Sequence, residues 1–279
     1  MQFEFISVVQ EARLTLITIN RPDVLNALHP PAHRELATAF DAFQRDSSQW
    51  VAIVTGAGEC AFCAGNDLKF RVAEGRERMP ESGFAGLTAR FDLDKPVLAA
   101  VNGLAVGGGF ELALACDLIV ADERAEFALP EVRVGLAALA GGLHRLPREI
   151  GLKAAMGIVL TGRRVDAVEA RQLGFVNEVA AAGTALDVAR CWAGEILRGG
   201  PLAVRATKQT ILRGLDEPGL SEALNLQGQY PAVSAMYASE DATEGPRAFA
   251  EKRVPRWQGE GFADDEPQCD CPALKGARP

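Results

Sequence analysis

The chain has 279 residues, 48% hydrophobic and 24% charged, which suits one sizeable core with an appendage and rules out a predominantly disordered chain. A formal charge of −8 argues against general binding to nucleic acid or anionic membranes, where clustered basic residues supply most of the affinity. The start, MQFEFISVVQEARL, lacks a basic and then apolar leader, and no apolar run reaches about 18 residues, so a soluble, cytoplasmic protein is expected.

In chain order, LTLITIN (Leu14 to Asn20) alternates apolar residues with Thr and reads as a strand. Pro31 to Phe43 has helical spacing, with Leu36, Phe40 and Phe43 on one face. WVAIVT (Trp50 to Thr55) is a short apolar strand closed by Gly56 and Gly58. Residues 71–90 are charged and contain Gly, which predicts a mobile segment or a weak helix. Lys95-Pro96 opens a buried strand, VLAAVNG. A helix over about 109–116 follows, then strands at Leu118 to Ala121 and Glu126 to Ala128. Alternating strands and helices predict an α/β architecture. From about Ala154 the pattern turns helical through KAAMGIVL, DAVEARQLG and ALDVARCWAGEILRG. Helices continue from Pro201 to Arg256, broken at Asp216-Glu217-Pro218-Gly219. Residues 259–279, rich in Gly, Pro and Asp, have the composition of a disordered tail.

Two motifs invite chemistry and then fail. Cys60 and Cys63 form a C-x-x-C pair, but a zinc half-site needs a second pair or two suitably spaced histidines. The chain has His29, His33 and His144 only, so reduced, packed cysteines are expected and no metal. Gly56, Gly58 and Ala61 match the dinucleotide fingerprint after a strand. That fingerprint requires a helix to begin there, and Gly65 with Asn66-Asp67 opposes one.

VGGGFELALAC (Val106 to Cys116) is the informative stretch. Glycine lacks a Cβ, so a ligand can approach the backbone, and the apolar residues that follow predict a buried helix. Its first N–H groups have no partner inside the helix and sit in positive potential. No Lys or Ser/Thr of a phosphate loop follows, so an uncharged cradle beside one acid suits a developing enolate better than a polyphosphate. Tight packing of the glycines against another backbone is the alternative reading. Glu111, a carboxylate inside an apolar helix, is costly unless hydrogen-bonded or used; otherwise it is a first-turn acid at the surface.

FCAGNDLK (62–69), AVNGLAVGGGFELALACDLIVA (100–121) and EFALPEVRVGL (126–136) resemble the enoyl-CoA hydratase family, the crotonases. RLPREIG, LTGRRVDAVEARQLGFVNEV and SEDATEGPRAFAEKR extend the resemblance over about residues 3–257. It implies a crotonase-like ββα spiral core over residues 1–195, carrying the CoA and catalytic site. It also implies a helical region over 196–258 that forms homotrimers, paired as a dimer of trimers. The implied partner is an acyl-CoA thioester; CoA belongs to the substrate, and no separate cofactor is expected.

The resemblance further implies that the N–H groups of Asn66 and Gly108 bind the thioester carbonyl, while Glu111 and Glu131 handle the water. It places adenine against the Arg21 to Leu28 turn, including Val24 and Ala27, and against the loop holding Ala64. Gly65, Asp67, Leu68 and Lys69 belong to that loop; Lys69 either meets the phosphates or is a solvated surface lysine. Val106, Gly107, Pro130 and Leu139 complete the implied substrate contacts. Lys252 and Arg253 are implied, more weakly, to reach a neighbouring subunit's nucleotide.

The chain departs from the family at Ala138-Leu139-Ala140-Gly141-Gly142-Leu143-His144, where many hydratases have Pro-Gly-Ala-Gly-Gly-Thr-Gln. The first glycine's N–H, which assists the catalytic water in the family, falls on Leu139, and this changes the acyl pocket. His144 is either a polar pocket residue or a structural one packed near Arg145. The leading expectation is an enoyl-CoA hydratase. Enoyl-CoA isomerisation and dehydration of a special acyl-CoA such as a carnitinyl thioester are the nearest rivals. A silent CoA-binding protein and a nucleotide-dependent oxidoreductase are the others.

Overall fold

The computed structural model describes residues 2–75 and 78–259; the proposed tail beyond 259 and its Cys269 and Cys271 lie outside the described residues. The chain opens with an antiparallel pair, β1 (Ile6–Glu11) and β2 (Leu14–Ile19), with Ile6 opposite Ile19. β1 is not legible by alternation, because Ile6 is its one buried residue. Helix α1 (Pro30–Arg45) follows and buries Leu36, Phe40 and Phe43, the face predicted from spacing.

Three ββα units come next. β3 (Val51–Gly56) leads to β4 (Ala61–Cys63) and α2 (Leu68–Glu74). β5 (Val97–Val101) leads to β6 (Leu104–Val106) and α3 (Gly108–Ala115). β7 (Leu118–Asp122) leads to β8 (Glu126–Ala128) and α4 (Gly142–Ile150). The chain continues through α5 (Leu152–Thr161), β9 (Val165–Asp166), α6 (Ala167–Leu173), β10 (Glu178–Ala180) and α7 (Ala185–Leu197). The first strand of each unit joins a six-stranded sheet ordered β1-β2-β3-β5-β7-β10, and the second joins a four-stranded sheet ordered β4-β6-β8-β9. Each turn of the spiral therefore adds one parallel strand to both sheets, which is the α/β class expected.

Period-two alternation explains why these strands are apolar on both faces. Ala52, Val54, Ala99, Val101, Ile119 and Ala121 face the main core with α1 and the second sheet. Val51, Ile53, Leu98, Ala100 and Val120 face α7, through Ala189 and Ala193. The tentative dinucleotide motif resolves as a strand: residues 61–63 form β4, and a Cβ on Gly56 would lie 2.3 Å from Ala61 O. Cys63 is buried there and Cys60 is exposed, so the core reading holds for Cys63 alone.

Helices α8 (Pro201–Gly214), α9 (Leu220–Leu226), α10 (Pro231–Ala238) and α11 (Asp241–Glu251) close the described chain. α8 and α10 pack around Ala206, Tyr230, Ala232 and Val233, while Ile211, Leu212, Leu215 and Tyr237 remain exposed. Among the described residues, no helix is long and apolar enough to cross a membrane.

Phe127 on β8 is fully buried and packs against Phe110 and Phe175, with both ring centroids 5.2 Å away. Phe127→Ala is expected to lower unfolding free energy by about 3–5 kcal/mol, read from the urea midpoint. A change under about 1 kcal/mol would mean this aromatic trio does not anchor the second sheet.

Candidate active site

The first wall of the site is a pair of interlocked loops. Asn26 adopts a left-handed φ of 56°, and its side chain accepts from Arg21 N and donates to Ala57 O and Ala61 O. The Arg21 guanidinium bonds Ala27 O and pairs with Asp67 at 3.2 Å, both side chains being largely buried. Asp67 also caps α2 by accepting the Phe70 N–H. Leu28 N–H donates to Gly65 O and Asp67 N–H donates to Leu28 O. This parallel bridge skips the N–H of Asn66, which has no hydrogen-bond partner among the described residues.

The second wall begins where β6 meets α3. Gly107, at φ 57°, donates its N–H to Ala128 O, and its carbonyl accepts from Glu111 N. Gly108 then opens α3, and its N–H likewise has no partner among the described residues. A Cβ on Gly65 would lie 3.0 Å from Gly108 N, so the two loops touch. A Cβ on Gly109 would lie 1.9 Å from Cys63 O, and one on Gly108 would strike the Phe84 ring at 2.4 Å. Both readings of the glycines therefore hold: Gly109 permits backbone contact, and Gly108 begins the helix with a free donor.

Two acids complete the site. Glu111 is 3% exposed and accepts the Gly142 N–H at 2.9 Å. Burial raises its carboxyl from 4.5 to about 7; the Gly142 N–H opposes the rise and the Glu131 charge adds to it. Glu131 begins a 3-10 turn over Glu131–Val134. Its Oε2 is buried without a hydrogen-bond partner, and burial raises its carboxyl as well. Its Oε1 lies 3.1 Å from where a Cβ on Gly107 would stand, so the acid adjoins the helix opening. Of the two, Glu111 is the acid that burial brings close to neutral pH.

A continuous cleft of about 2460 Å³ joins these parts. Asn66, Gly108, Glu111 and Glu131 line it, with Ala64, Asp67, Leu68, Val106, Gly107, Pro130 and Leu139. Val24, Ala27, Gly65 and Lys69 do not. Gly65 is buried behind Gly108, while Lys69 is exposed outside the lining. The Leu139 N–H donates to Ala137 O, and the Gly142 N–H donates to Glu111. The Leu139 side chain is 80% exposed in the cleft. His144 is exposed and lines the cleft, the pocket alternative. Arg253 is paired with Glu244 and Glu251 within its own chain. Sequence reasoning missed Phe84, Gly142 and Arg145; only Gly142 carried a signal, as part of the Gly-Gly pair after the second acid.

The family model described as enoyl-CoA hydratase/isomerase matches residues 10–260. A protein of Proteus mirabilis named carnitinyl-CoA dehydratase is 45% identical over 251 residues, covering 87% of this chain and 94% of the relative. A solved enoyl-CoA hydratase from Mycobacterium tuberculosis H37Rv superimposes with a TM-score of 0.86 at 44% identity, covering 91% of this chain and 99% of that one. An enoyl-CoA hydratase from Bacillus anthracis gives a TM-score of 0.85 at 36% identity, covering 92% and 100%.

The raised pKa of Glu111 has a stability consequence. Between pH 4.5 and about 7 the folded state holds this proton and the unfolded state releases it, so the contribution is full below 4.5 and lost as pH rises through 7. Urea unfolding of the intact chain and of Glu111→Gln is expected to show the downward slope in that window reduced in the variant. Parallel curves would mean that Glu111 is ionised at its ordinary pKa.

Proposed function

The chain belongs to the enoyl-CoA hydratase/isomerase family, and on that footing we propose that it is a hydro-lyase that adds water across the α,β double bond of an enoyl-CoA thioester. The observation that carries this reading is the convergence of two uncommitted backbone N–H groups, the buried Glu111 and the half-buried Glu131 on one cleft.

The N–H groups of Asn66 and Gly108 take the thioester oxygen. As water attacks Cβ, negative charge gathers on that oxygen, and the positive end of α3 with both donors stabilises it. Each such donor is worth about 10²–10³ in rate. Glu111 and Glu131 hold the water. One carboxylate removes its proton during attack, and the other, protonated, supplies a proton to Cα. Glu111, raised by burial to about 7, is present in both forms near neutrality and can take either role, and dehydration runs the same steps in reverse. The substrate brings its own CoA, and no further cofactor enters the scheme.

A second reading is supported by the 45% identity to proteins named carnitinyl-CoA dehydratase: the same acids remove water from a 3-hydroxyacyl thioester with a special acyl group. Leu139, in place of a glycine common in hydratases, adds side-chain volume to the cleft in either case. The proposal extends to assembly: Ile211, Leu212, Leu215 and Tyr237 leave apolar area on the helical region that packing between three copies would cover.

Loss of enoyl absorbance with crotonyl-CoA tests the chemistry, and carnitinyl-CoA run in the opposite sense tests the second reading. Glu111→Gln and Glu131→Gln are each expected to lose about 10²–10⁴ in kcat while retaining CoA-ester binding. A fully active Glu131→Gln would sink the two-acid assignment. Light scattering is expected to give a trimer or its double; a monomer at micromolar concentration would remove the assembly proposal.

A further inference from the structure

One side chain joins the two halves of the site. Arg145, in the first turn of α4, donates its backbone N–H to Gly141 O at 2.8 Å and its Nη2 to Thr88 O at 2.9 Å. Thr88 N–H in turn donates to Phe84 O at 3.2 Å, and the Phe84 ring occupies the space a Cβ on Gly108 would need. In the other direction, Gly141 precedes Gly142, whose N–H holds Glu111. Gly141 has a φ of 108°, and a Cβ there would lie 2.1 Å from Arg145 Nη1. The guanidinium is thus pressed against the turn that orients Glu111 while gripping the segment that backs Gly108.

We propose that Arg145 is a positioning residue that couples the Gly108 N–H to the Glu111 carboxyl, fixing the carbonyl-binding and proton-handling parts of the site relative to each other. This rests on the hydro-lyase reading above. A partly buried cation is unfavourable unless its surroundings use it. Arg145 lines the cleft, where burial lowers its pKa, and Glu149, Cys116 and Glu111 are the titratable groups that face it. Glu111 faces Glu131 and Arg145. The Arg145 charge favours the ionised form of Glu111, so its removal moves the Glu111 midpoint upward whichever role that acid takes. Placement errors of about 1 Å at such a site cost roughly 10² in rate.

The test uses the full chain and 4-dimethylaminocinnamoyl-CoA, an enoyl thioester whose absorption band moves to longer wavelength when its carbonyl is polarised. Arg145→Gln is expected to bind the probe as tightly as the intact chain, to lose most of the band shift, and to lose about 10² in kcat on crotonyl-CoA. The pH limb that disappears in Glu111→Gln is expected to move upward in Arg145→Gln and to return in Arg145→Lys, which restores charge without the planar fork. Gly141→Ala, which pushes the guanidinium aside, is expected to reproduce the lost band shift with Arg145 present. A full band shift and an unmoved pH limb in Arg145→Gln, or a full band shift in Gly141→Ala should the first variant not fold, would overturn the coupling alone. An intact chain that binds the probe without any shift would overturn the hydro-lyase reading, and the coupling with it.

Discussion

No side chain fits between the start of α3 and the loop after β4. A Cβ on Gly109 would lie 1.9 Å from Cys63 O, and a Cβ on Gly65 would lie 2.7 Å from Val106 O. This backbone-on-backbone contact brings the Asn66 and Gly108 donors to one place, although β4 and β6 belong to successive turns of the spiral. The parallel register of the smaller sheet fixes the contact: Ala61 pairs with Leu104 and Cys63 with Ala105, so each strand delivers its loop to the same edge. Glycine is required here for access as well as for backbone freedom.

The same arrangement is locally expensive. Two N–H groups stay unpaired among the described residues, Glu131 Oε2 is buried without a partner, and Glu111 is enclosed in an apolar helix. Isolated polar groups of this kind each disfavour folding by a few kcal/mol, about 1–3 by mutational measures. The surrounding core offsets them: Phe110, Phe127 and Phe175 form one aromatic cluster behind α3, and the larger sheet is apolar on both faces. Asn26 bonds three backbone atoms, and Arg21 and Asp67 tie together both sides of the first wall. Within the cleft, the unmet hydrogen-bonding capacity includes the Asn66 and Gly108 N–H groups and Glu131 Oε2.

Legibility in the sequence followed the strength of local periodicity. β3, β5 and β7 were readable because apolar, β-branched runs end at Gly or charge, and α1 because Leu36, Phe40 and Phe43 recur at helical spacing. β1 was not, since five of its six residues escape full burial. In the site, Glu111 announced itself as an acid in an apolar run. Glu131, Asn66 and Gly108 acquired roles only through resemblance to the family. A sequence cannot show that the Leu139 N–H closes on Ala137 O or that the Gly142 N–H reaches Glu111. Lys69 reads equally as a phosphate contact and as a surface residue, and in the first turn of α2 it is exposed, which both readings allow.

By itself, the sequence determined the α/β class, the apolar helix that follows the glycine triplet and the acid within it. These are properties of a few neighbouring residues, fixed by side-chain period and by what lacks a Cβ. Tertiary structure decided which distant atoms meet: Gly65 with Gly108, Phe84 under Gly108, Gly142 with Glu111, and Arg145 with Thr88. Those meetings depend on strand register and on the rise of each spiral turn, which sum over dozens of residues. They decide burial as well, and burial is what moves the Glu111 carboxyl toward neutrality.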